Sequence, residues 1–64
     1  MSQENIDKAN SAKKHLENAE NSGREAKKLF EQIKDPDGVK RADAVEKVAR
    51  EAKKYVERRV GDGR

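Results

Sequence analysis

The sequence predicts an all-α fold, on three observations. Apolar residues recur at three- and four-residue steps through most of the chain. The residues between them are mainly Ala, Glu, Lys and Arg, all strong helix formers. No segment alternates apolar and polar residues in the manner of a strand.

The first periodic run is Ala9, Ala12, Leu16, Ala19, Gly23, Ala26, Phe30 and Ile33. A helix is expected over about residues 4–21. Asn18, Asn21, Ser22 and Gly23 then cluster poor helix formers. Ser22 with Glu25 fits a capping box, in which each side chain satisfies a backbone N–H of a new helix. That predicts a second helix over about 23–34. Against a break stands the phase, which continues unchanged through Gly23. Unbroken phase describes one long helix instead.

Asp35-Pro36-Asp37-Gly38 is the clearest interruption. Pro36 pushes Asp35 out of helical geometry, and Asp and Gly suit a tight turn. Asp37 is the expected N-cap of a last helix over about 38–60. Its apolar positions are Ala42, Val45, Ala49, Ala52 and Val56, widened by Val48 and Tyr55. Gly61-Asp62-Gly63-Arg64 reads as a flexible tail over 61–64. The resulting expectation is one small domain, 1–64, folded as a three-helix bundle. The alternative is a helical hairpin that dimerises into a four-helix bundle. Lengths separate the two. A long first helix spans about 45 Å and a 22-residue partner about 33 Å, so a lone hairpin would leave Ile6 and Ala9 uncovered.

Large apolar side chains are sparse for 64 residues, so the core is thin and self-association or a partner would relieve it. Phe30 and Tyr55 are the aromatic residues and are expected in that core, with Arg41 and Arg59 snorkelling over its edge.

Charge points to no particular partner. The net charge is +3, with 16 basic and 13 acidic residues interleaved along the chain. No run of apolar residues approaches the length of a membrane span. The polar stretch Ser2 to Asn5 does not read as a secretory leader. Absence of cysteine excludes disulfides and thiolate chemistry. These features predict a cytoplasmic protein with no membrane partner.

Catalysis is not expected. His15, the sole histidine, has Ser11, Ala12, Asn18 and Ala19 as helical neighbours, none of them an orienting carboxylate or a good metal ligand. Glu20–Arg24, Glu46–Arg50 and Asp43–Lys47 are i,i+4 ion pairs, which hold carboxylates ionised rather than poised as acids. In a calcium-loop register, Asp35, Asp37 and Gly38 would take the third, fifth and sixth places. Ile33 and Ala44 would then stand where the first carboxylate and the bidentate glutamate belong. No phosphate loop or dinucleotide fingerprint is present. No cofactor, metal or small-molecule substrate is expected.

Two surfaces remain. Small residues on the seam, Ala12, Leu16, Ala19, Val45, Ala49 and Ala52, permit close helix approach and form a candidate docking face. Lys47, Arg50, Lys54 and Arg58, with Lys40, line one side of the last helix and could follow a phosphate backbone or an acidic partner. Asp43 and Glu51 interrupt that stripe, and no aromatic side chain interleaves it. The expected function is therefore a non-enzymatic protein-interaction or regulatory module that binds another protein or itself. A small nucleic-acid-binding protein is the alternative.

Overall fold

The computed structural model describes residues 2–62. They form two helices, α1 (Gln3–Gln32) and α2 (Pro36–Asp62), folded back on each other as a hairpin. Neither helix is long and apolar enough to cross a membrane.

The start of α1 is fixed by Ser2. Its backbone is extended, and its hydroxyl Oγ accepts a hydrogen bond from the Asn5 N–H at 3.1 Å. The helix then runs straight through Ser22 and Gly23, where a break was expected, so two helices replace the three. The capping box is not made: Ser22 is exposed and helical, and the Glu25 carboxylate pairs with Lys28 at 3.6 Å. The reason lies across the hairpin. Gly23 is buried against α2, and a Cβ there would lie 3.1 Å from the Glu46 backbone nitrogen and 3.2 Å from the Ala42 carbonyl oxygen. Tertiary contact offsets the local cost of glycine in a helix, about 1 kcal/mol relative to alanine.

The turn is built differently from the expectation that Asp37 caps the last helix. Lys34 adopts a left-handed conformation, φ 58°. The Lys34 N–H donates to the Glu31 carbonyl at 3.1 Å and the Asp35 N–H to the Phe30 carbonyl at 3.0 Å, which together make a Schellman motif. Asp35 then caps α2, its carboxylate accepting from the Gly38 N–H at 3.1 Å while its carbonyl accepts from Val39. Pro36 takes the first helical position, where its missing N–H costs nothing. Asp37 lies in the first turn and favours the helix dipole.

Beginning two residues earlier and ending two later than expected, α2 reaches 27 residues against 30 in α1. The two nearly match, so Ile6 and Ala9 are half-buried rather than uncovered. Of the tail expected over 61–64, Gly61 and Asp62 belong to α2; Gly63 and Arg64 lie outside the described residues.

The core is thinner than the periodicity suggests. Ala42 and Ala49 are its buried apolar residues, and no side chain is completely enclosed among those described. Phe30 is half-buried, its ring lying over Gly38. Tyr55, expected in the core, is 56% exposed, because it lies two turns after the exposed Val48 on the flank of α2, off the seam of Ala42 and Ala49.

Candidate docking groove and ion-pair flank

The line where α1 meets α2 divides the hairpin into two unlike flanks. One is ionic. Glu20 and Glu46 sit on the seam itself, in step with Leu16 and Gly23 on α1 and with Ala42 and Ala49 on α2, and both are buried. Charges placed there must be paired. Glu20 accepts from Arg50 Nε at 2.9 Å and Lys53 Nζ at 3.1 Å. Glu46 accepts from Arg24 Nε at 3.2 Å, Lys27 Nζ at 3.2 Å and Arg50 Nη2 at 3.1 Å. Lys27 also reaches Asp43 at 3.2 Å, and Asp43 holds Lys47 at 3.0 Å.

The network favours the charged form of its three carboxylates and of Lys27. Hydrogen bonds from Arg50 and then Lys53 hold the Glu20 carboxyl below its ordinary range, against the opposing effect of burial. The Lys27 bond, opposed by burial, does the same for Glu46, and the bonds from Lys47 and Lys27 for Asp43. Asp43 and then Glu46 push the Lys27 ammonium up. A carboxyl group held below its ordinary range is ionised near neutral pH. His15 is exposed, and among the described residues no group of three or more His, Asp or Glu side chains is placed to hold a metal ion.

The other flank is apolar. Two open hollows of about 420 and 380 Å³ run along the seam and share Ala19 and Val45, so they form one groove. The half nearer the turn is lined by Ala26, Phe30, Ala42 and Arg41, with Ser22 and Gly23. The other half is lined by Leu16, Ala44, Val48, Ala49 and Ala52. Arg41 is the charged residue on this lining. Val45 and Val48 remain 52% and 69% exposed.

The structure brings together five residues of the sequence-derived docking face: Leu16, Ala19, Val45, Ala49 and Ala52 all line the groove. Ala12 is exposed on α1 outside it. Sequence reasoning missed Ala26, Ala44, Val48 and Phe30 as groove residues. The basic stripe is divided. Arg50 turns into the ion network, Lys47 is held by Asp43, and exposed Lys54 pairs with Glu51 at 3.7 Å; Arg58 is exposed. The i,i+4 pairs read from the sequence are present, including Glu20–Arg24 at 3.8 Å. Their extension across to the other helix was missed, although the position of Glu20 and Glu46 on the three-four seam was its signal.

No protein-family model matches the chain, and comparisons with curated proteins and with solved structures found no match.

Proposed function

We propose that this chain is a non-catalytic helical interaction module that docks another protein surface, or its own copy, through the groove between α1 and α2. The observation that carries this reading is the segregation of the two flanks. Charged groups are drawn to one side of the seam and paired there, while Val45 and Val48 stand exposed along a nearly uncharged groove on the other. A continuous apolar surface rimmed by polar residues is the usual mark of a docking site. The small side chains of Ala19, Ala49 and Ala52 would let a partner helix approach closely.

The basic stripe supports nucleic-acid binding less well. Lys47, Arg50 and Lys54 each hold a carboxylate of this chain, which a phosphate would have to displace.

The test is a photo-crosslinking residue at Val48, in the groove, and at Glu17 as control. Glu17 is exposed and shares its face of α1 with Lys13 and Glu20, on the ionic flank. Irradiation in the source cell should yield protein adducts from position 48 and none from position 17. A chain that gives no adduct from position 48 would overturn the reading.

A further inference from the structure

We infer that the occupant of the groove is a second copy of this chain, docked antiparallel about a two-fold axis that passes near Ala19 and Val45. The inference rests on the reading of the groove as a docking face. What it adds is the partner and the geometry.

Area is the first argument. A folded monomer of 7.2 kDa exposes about 4,100 Å². This hairpin exposes 4931 Å². The excess of roughly 800 Å² is surface that an elongated hairpin, 47 × 15 × 10 Å, leaves uncovered along its length and a second copy could cover in part. Size gives the same answer. The radius of gyration is 14.6 Å, whereas a compact chain of 64 residues has about 11 Å. The hairpin is thus too elongated to cover its own groove, which a second copy laid along it would cover.

The groove also complements itself. Its halves meet at Ala19 and Val45, so a two-fold axis there lays the turn-side half of one copy on the opposite half of the other. The Phe30 ring lies over Gly38, seven residues before Val45, so in each copy it falls at the level of the small Ala52, seven residues after Val45, of its mate. A parallel pairing would set Arg41 against Arg41, like charges on an apolar surface, and is disfavoured. The ionic flank, with its carboxylates already paired, is left facing water in the antiparallel arrangement.

Sedimentation equilibrium of the full chain should give twice 7.2 kDa. A helical 7.2-kDa monomer at every concentration up to the millimolar range would overturn the inference. The Val45→Lys variant should return the mass to that of one chain. Because that variant could also lose its fold, single cysteines in the otherwise cysteine-free chain supply a second measurement. Oxidised Val45→Cys should form a disulfide-linked dimer, as two residues beside a two-fold axis come within the 4.4–6.8 Å Cα separation a disulfide needs. Arg41→Cys and Glu17→Cys should not. A double-mass protein whose Val45→Cys variant stays unlinked would overturn the assigned face. Linkage through Arg41→Cys would overturn the antiparallel geometry. The Val48 photo-crosslink separates this inference from the reading beneath it. An adduct of two copies supports both. An adduct with a different protein alone, from a monomeric chain, overturns self-pairing and leaves the docking function standing. No adduct overturns both.

Discussion

Gly23 of α1 packs so closely on Glu46 of α2 that a methyl group in place of its hydrogen would lie 3.1 Å from the Glu46 backbone nitrogen. The obstructing atoms belong to helical backbone, which cannot rotate aside as a side chain can. The Gly23→Ala variant gains about 1 kcal/mol of helix propensity. Overpacking costs roughly 1–3 kcal/mol, so the net effect is a loss of about 1 kcal/mol. Thermal unfolding at fixed chain concentration should show a melting point lower by about 4–8 °C. Gly23→Leu should lose more. A rise in melting point on Gly23→Ala would mean that the helices do not touch there.

The turn offers the opposite sign. Lys34 sits at φ 58° as the left-handed residue of the Schellman motif. A side chain in that conformation costs roughly 1–2 kcal/mol. Lys34→Gly removes that strain while adding about 0.4–1 kcal/mol of unfolded-chain entropy. The expected outcome is a net gain of about 0.5–1 kcal/mol in denaturant unfolding, with no gain from Lys34→Ala. Asp35→Ala should lose about 1 kcal/mol as the cap of α2. Asp37→Ala should lose less, since Asp37 acts on the helix dipole alone.

These two sites also mark how far the sequence could be read. The helical class and the break at Pro36 were legible, because periodicity and proline act locally. The fate of Ser22-Gly23 was not. Locally they stop a helix, and only the approach of Ala42 and Glu46 from the other helix makes glycine the residue that fits. Asp35 as the cap was hidden for a similar reason. Pro36 reads as a breaker until its place at the first helical position is seen. Most of the groove lining between the helices was legible from its spacing. Its sidedness was not, because that depends on Glu20 and Glu46 drawing cations from both helices to one flank.

Stability should follow pH with a definite sign. Glu20, Glu46 and Asp43 have carboxyl groups held below their ordinary range in the folded state. Their contribution is fully present above the unfolded values, about 4–4.5. It is lost as pH falls through the lower folded values, because the unfolded chain binds more protons across that window. Lys27, whose ammonium is pushed up, contributes fully below the ordinary lysine value of 10.5 and loses that contribution as pH rises through its higher folded value. Melting points from pH 2 to 12 should therefore show a plateau with an acid edge beginning below about pH 4.5. A melting point that rises on acidification through this range would contradict the network.

The sharpest test of the ionic flank compares Glu46 with Glu4. Glu4 pairs with Lys8 at 3.2 Å, but both side chains are about three-quarters exposed. Such a pair contributes between 0 and about 1 kcal/mol, so Glu4→Ala should change stability very little. Glu46 is 5% exposed and gathers Arg24, Lys27 and Arg50. Removing its carboxylate leaves three cations beside a closely packed seam, with Asp43 and Glu20 alone to balance them. Glu46→Ala should therefore unfold at a clearly lower temperature than Glu4→Ala in parallel melts. Glu46→Gln should fall between them, since an amide oxygen can still accept hydrogen bonds but carries no charge. Adding sodium chloride should narrow the gap between Glu46→Ala and the unaltered chain by screening the crowded cations. Equal melting points for the Glu4 and Glu46 variants would show that the buried carboxylate does not hold the two helices together.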